Sequence, residues 1–185
     1  MKKFITSVLF AIILVTMPNF AYAFEEAPVA LIVFDKSYNV NNHLLENWQQ
    51  QVKKRFRFPN YKLQEYTSVE NKLLGNLPTL DKKAPYYKKT QLVEVANTVQ
   101  AQVVFVLWVH ELNDYIVHSW RRFGEDFRHT EVSIDFSAYS KKHDKIFSKK
   151  IRYSKTEDAA ISVFSHDFAT QAIYDAVSEF RDMLR

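Results

Sequence analysis

The amino-acid sequence predicts an α/β (α+β) domain. Its single mixed sheet of about five strands is parallel in the first half and closes in a C-terminal antiparallel meander, with helices packed on the sheet. Three observations carry this. Residues 29–34 and 103–109 are continuous apolar runs of strand length, rich in β-branched and aromatic side chains, the pattern of strands buried on both faces. Between and after them, apolar residues recur at helical spacing. Val132, Ile134, Phe136 and Ala138 alternate with Glu131, Ser133, Asp135 and Ser137, which marks a strand with one wet face.

The chain opens on an address. Lys2 and Lys3, an apolar stretch over residues 4–15 and the small-x-small triplet Ala21-Tyr22-Ala23 have the form of a secretory signal peptide cleaved before Phe24. Residues 4–17 are too short for a spanning helix, which needs about 18 or more apolar residues. The domain organisation read here is a signal peptide over residues 1–23 and a single α/β domain over residues 24–185. Loss of the first 23 of 185 residues leaves 162, enough for one self-sufficient core. It also removes two lysines, so the formal charge falls from +4 to +2, too little for the total to argue polyanion binding. The chain has no cysteine, which excludes disulfides, thiolate metal sites, a thiol nucleophile and lipidation on an N-terminal cysteine.

Residues 29–34 form the first strand, and residues 35–42 a polar connection. Leu44, Leu45, Trp48, Val52 and Phe56 then share a helix face, and Pro59 ends that helix. Residues 61–66 read as a short strand, and Thr67-Ser68-Val69-Glu70 as a capping box opening a short helix. Residues 75–89 have loop composition. Leu92, Val93, Ala96 and Val99 restore helical spacing and lead into the strand at residues 103–109. Residues 110–120 fit either one long bulged strand or a hairpin turning at Asn113-Asp114. Residues 121–129 read as a charged loop, and residues 146–153 as a basic edge strand whose Phe147, Ile151 and Tyr153 share a face. The last helix carries the wide stripe Phe168, Ala169, Ala172, Ile173, Ala176, Val177, Phe180 and Leu184, with Ser165 as its N-cap. The order is β-α-β-α-α-β-β-β-α, with the two continuously apolar strands as parallel neighbours in mid-sheet.

Residues 29–35, 96–108, 131–139 and 145–153 follow, in that order, the pattern of a group of bacterial envelope domains. The chain resembles the curli-secretion-channel lipoproteins, the lipoprotein activators of penicillin-binding proteins and the N-terminal domain of the Tol-system periplasmic protein. The resemblance spans the mature chain at the level of fold and implies a binding or assembly role in the envelope without catalysis. The N-terminal cysteine of those lipoproteins is missing, and so, largely, are the group's glycine-rich turns, since Gly75 and Gly124 are the chain's two glycines. Membrane tethering and channel formation are therefore not implied.

Motifs for chemistry are sparse. His110-Glu111 lacks the second histidine of a zinc-protease helix, since Tyr115 stands in its place. No nucleophile elbow, phosphate loop or dinucleotide fingerprint is present, so no cofactor, metal or catalytic residue is assigned. Asp35, Ser37 and Tyr38 follow a central parallel strand at its carboxyl end, where open α/β sheets bind ligands; the same residues also suit a plain turn before a helix cap. Basic and aromatic residues interleave over residues 53–62, 82–89 and 120–128. In the first of these, Phe56 belongs to the apolar stripe and the basic residues read as a solvated helix end. The last supplies the preferred contact surface: Trp120, Arg121, Arg122, Phe123 and Arg128, residue types enriched where proteins bind.

The leading functional reading is an exported, soluble, periplasmic or secreted module that binds an envelope protein or polymer. Nucleic acid is not an expected partner, and the mature chain has no transmembrane segment. A hydrolase with a site of scattered acids and histidines is the first alternative and a polyanion-binding protein the second.

Overall fold

The computed structural model describes residues 26–57, 59–76, 88–118 and 126–185. The predicted signal peptide therefore lies outside the described residues. The elements are β1 (Ala27–Asp35), α1 (Asn42–Arg55), β2 (Tyr61–Leu63), α2 (Tyr66–Asn76), α3 (Lys89–Thr98), β3 (Val103–His118), β4 (Asp126–Ser140), β5 (Lys145–Asp158) and α4 (Ser165–Met183). They form one five-stranded sheet in the order β2-β1-β3-β4-β5. β2, β1 and β3 run parallel, while β3, β4 and β5 form the antiparallel meander.

The two continuous apolar runs are adjacent, paired from Val29↔Val103 to Asp35↔Val109. Their alternate side chains feed two cores, which is why neither strand has a polar face. On one side Val29, Leu31, Phe105, Leu107 and Val109 pack with Trp48, Val52 and Phe56 of the first helix region and with Ile173, Val177 and Phe180 of α4. On the other, Ala30, Ile32, Val104, Val106 and Trp108 pack against Val69 and Leu73 of α2 and Leu92, Val95 and Ala96 of α3. Burying side chains of this size stabilises by roughly 1.5–3 kcal/mol each, so the fold holds without disulfides.

Several boundaries differ from the sequence expectation. α2 starts at Tyr66, with Val69 N–H donating to the Glu65 carbonyl at 3.1 Å, so Thr67 lies inside the first turn instead of capping it. β4 and β5 are longer than expected, taking in residues 126–130 and 154–158, because each pairs continuously with its neighbour out to Phe127↔Asp158. The region after Val109 is one strand and not a hairpin: pairing to β4 continues to His118↔Asp126, with a register shift between Val109 and Glu111. His110 is the extra residue of that bulge. It places Leu112 and Asp114 opposite Val132 and Thr130, on the α4 side of the sheet.

β1 stops at Asp35, so the last part of β3, together with the facing parts of β4 and β5, runs on as a three-stranded arm.

Candidate functional site

The chain crosses from the α1/α4 face to the α2/α3 face between β1 and β3, and a crevice of about 530 Å³ opens just beyond the carboxyl end of their paired segment, Asp35↔Val109. Its position is the one expected of a ligand site in an open α/β sheet. It is lined by Asn39, Asn41, His43, Asn47, Asn113, Asp114 and His166, among others. The expected Asp35, Ser37 and Tyr38 do not line it. Asp35 Oδ1 accepts from Ser37 N (2.8 Å), Ser37 Oγ (2.6 Å) and Tyr38 N (3.1 Å), and Oδ2 accepts from Val40 N (2.9 Å). The carboxylate organises its own turn, in which Tyr38 sits at φ 59° with its side chain in solvent.

The crevice residues are also tied into the fold. Asn41 Oδ1 accepts from Leu44 N at 2.9 Å and caps α1. Asn39 Nδ2 donates to the Leu112 carbonyl and to Asn113 Oδ1, both at 2.8 Å, and fastens the turn to β3. Asp114 accepts from Ser165 N and from Ser165 Oγ (2.7 Å), as well as from Thr130 Oγ1 (3.0 Å). Ser165 is thus the first residue of α4, with Phe164 as N-cap, and a carboxylate from a distant strand takes the role expected of Ser165. What the crevice presents is hydrogen-bonding amides, the imidazoles of His43 and His166, and the exposed carboxylate of Asp167, 3.4 Å from His166 Nε2.

On the opposite sheet face, buried Asp135 joins two strands: His110 Nε2 lies 2.7 Å from Oδ2, and Arg152 Nη2 donates to Oδ1 at 2.6 Å. Arg152 Nη1 also donates to the Ile134 carbonyl at 2.8 Å. The bulge brings His110 to this carboxylate, so the group fastens β3, β4 and β5 where the arm leaves the body. His118, at the far end of β3, instead pairs with Asp126 at 2.8 Å. The two histidines serve separate contacts, and among the described residues no group of three His, Asp or Glu side chains could hold a metal ion.

The arm exposes apolar surface. Tyr115, Ile116 and Val117 on β3 and Ile161, Val163 and Phe164 before α4 are six of the eight exposed large hydrophobic side chains among the described residues. Arg128, paired with Ile116, shares its face of the arm, with the guanidinium 3.8 Å from the Phe164 ring centre and donating to Ser162 Oγ at 3.1 Å, whereas Tyr115 and Val117 point to the other face. Tyr115 packs against His129 across the strands, ring centres 4.8 Å apart. Of the contact surface expected from sequence, Arg128 is placed here, whereas Trp120, Arg121, Arg122 and Phe123 lie outside the described residues. The exposed residues at 161–164 were missed in the sequence because they precede the helical stripe and share no periodicity with it.

No family model matches the chain, and no curated protein matches it. Solved structures with a similar chain path include lipoprotein GNA1162 from Neisseria meningitidis, with 13% identity and a TM-score of 0.45 over 83% of this chain and 99% of that one. A PelC dodecamer subunit from Paraburkholderia phytofirmans has 11% identity and a TM-score of 0.41, covering 89% and 91%. The LpoB C-terminal domain from Salmonella enterica has 10% identity and a TM-score of 0.36, covering 70% and 83%. At these identities the likeness concerns the fold alone. No helix among the described residues is long and apolar enough to cross a membrane.

Proposed function

We propose that this protein is an exported, non-catalytic binding or assembly module of the bacterial cell envelope, and that it contacts a protein partner through the arm. The observation that carries the reading is the exposed apolar surface on the α4 side of the arm, where Ile116 stands opposite Arg128, Phe164 stacks on that arginine, and Ile161 and Val163 are exposed in the same segment as Phe164; Tyr115 and Val117 are exposed on the other face of the arm. Clustered apolar surface of this kind marks interaction sites. Arg128, stacked on Phe164 at its border, supplies a residue type common in binding hot spots. The connection between β3 and β4 carries Trp120, Arg121, Arg122 and Phe123 and belongs to the proposed surface. Export rests on the signal-peptide pattern of residues 1–23. The engagement of Asp35, Asp114 and Asp135 in structural hydrogen bonds supports a role without catalysis.

The test has two arms. Expressed with residues 1–23 in a diderm bacterium, the protein should be recovered from the periplasm or medium with Phe24 as its N-terminus. A photo-crosslinker at Ile116 or Val163 should give a discrete adduct with one envelope protein, lost in Ile116→Asp and Val163→Asp variants. Retention of residues 1–23 on a cytosolic protein would overturn export. Adducts that are equally frequent from Lys150 on the outer strand would overturn the arm as contact surface.

A further inference from the structure

The opposite end of the sheet carries a different surface. At the amino ends of β1 and β3, two adjoining hollows of about 730 Å³ and 370 Å³ share Pro59, Asn60, Tyr61, Arg181 and Arg185 in their walls. Together they make one groove, running from the end of α1 across Tyr61 to the β4–β5 turn. Its Lys and Arg side chains are Lys54, Arg55, Arg57, Lys142, Arg181 and Arg185, whereas Glu26 is its single acidic wall residue.

These cations come from three separate parts of the chain. The Arg181 guanidinium lies 5.5 Å from the Phe56 ring centre and 5.2 Å from that of Tyr61, so it is held between α4 and β2. Arg55 donates to Ser178 Oγ at 2.8 Å and stacks on Tyr174 at 4.9 Å. Among the described residues no carboxylate pairs with Arg55, Arg57 or Arg181; Glu26 is turned to Lys62 at 3.8 Å, and Asp182 to Arg185 at 3.4 Å. Cations at helix C-termini have an ordinary explanation, since each helix end carries about half a negative charge. The ends of α1 and α4 account for about one charge between them, and the groove holds several more.

We infer that this groove binds a linear polyanion, a chain with phosphate or carboxylate groups repeated along its length. Two hollows joined along a shared wall, with cations lining both, favour a chain over a compact anion. Arginine forks suit oxyanions because they donate two parallel hydrogen bonds and stay charged. Aromatic anchoring fixes two of the guanidiniums in advance, which lowers the ordering cost of binding. The groove lies at the opposite end of β3 from the arm, so this inference stands apart from the proposed protein contact.

The test is titration of the purified protein with polyphosphate, poly-L-glutamate and orthophosphate at stepped salt concentrations. One polymer should bind more tightly than orthophosphate, and the choice between the two distinguishes a phosphate from a carboxylate chain. The Arg57→Gln/Arg181→Gln/Arg185→Gln variant should bind at least about tenfold more weakly and with a shallower salt slope, fewer counterions being released. The Arg57→Gln/Arg185→Gln variant leaves the stacked Arg181 in place and guards against a folding defect; it should lose at least about threefold on the same grounds. Lys149→Gln/Lys150→Gln/Lys155→Gln, on β5, removes equal charge elsewhere and should bind as the parent does. The inference falls if neither polymer binds, if orthophosphate binds as tightly as the polymers, if both groove variants bind like the parent, or if the β5 variant loses as much.

Discussion

Asp114 on β3 accepts both the backbone N–H and the hydroxyl of Ser165, 51 residues further along the chain, and so caps α4 from across the sheet. Ser165 is buried, so its donors have no ready access to water once that carboxylate is removed. Asp114→Ala should destabilise the protein by about 1–3 kcal/mol, the cost of leaving buried donors unmet. Asp114→Asn should cost less, because one acceptor oxygen remains. Urea midpoints at constant denaturant slope measure both; an unchanged midpoint for Asp114→Ala would show that the cap does not hold the helix.

Asp135 is buried between His110 and Arg152 and ties three strands at the root of the arm. Asp135→Ala should cost about 1–3 kcal/mol, toward the lower part of that range because the partly exposed Arg152 regains water. The loss should be local first. Amide exchange should rise from residue 111 of β3 outward and remain slow at residues 103–109, where both cores close on the strand.

The Tyr66 hydroxyl donates to the Val33 carbonyl at 3.3 Å, and burial, followed by the nearby Glu70 charge, raises the phenol above its ordinary range. A raised value means that the folded state favours the protonated form. The resulting stability is fully present below the ordinary tyrosine value of about 10 and is lost as pH rises through the higher folded value. Following tyrosinate absorbance through an alkaline titration, Tyr66→Phe should remove a late-ionising component. Loss of an early component instead would contradict the burial argument.

Lys89, at the start of α3, bonds to Asp144 in the β4–β5 turn, and this bond holds the Asp144 carboxyl below the ordinary carboxylate range. Its contribution to stability is therefore present above the ordinary value of about 4 and is lost as pH falls through the depressed folded value. Both groups are solvent-exposed, so the effect is small and salt-sensitive. Asp144→Asn tolerates the positive φ at this position and should flatten the low-salt acid limb of the stability profile. An acid limb identical to the parent's would remove this pair from the account.

The mid-sheet strands were legible in the sequence because burial on two faces leaves an unbroken apolar run, and residues 29–34 and 103–109 each form one. The arm was half legible. His110 shifts the alternation of β3 by one residue, so a reader counting by twos from Val103 loses the inward face before Leu112; this is why a hairpin competed with a bulge. Asp35 stands where a switch-point ligand contact belongs, but nothing local shows that four donors within its own turn occupy its carboxylate. The Asp114 cap leaves no local signal, and the groove leaves only a part of one. Ser165 is remote from Asp114 in sequence, and Arg57 meets Arg181 only because α4 packs beside α1. The basic cluster at residues 53–62 was visible, yet read alone it is an ordinary solvated helix end.

β3 also fixes a distance. Val103 lies in the groove wall and His118 at the far limit of the arm, the first and last of the strand's 16 residues, and at a strand's rise of about 3.3 Å per residue they are about 50 Å apart. Two occupants, one at each end, would be held that far apart by a single hydrogen-bonded rod, without touching and without competing. With both occupants bound, the molecule would act as a spacer, and its span should change with the number of residues in the arm.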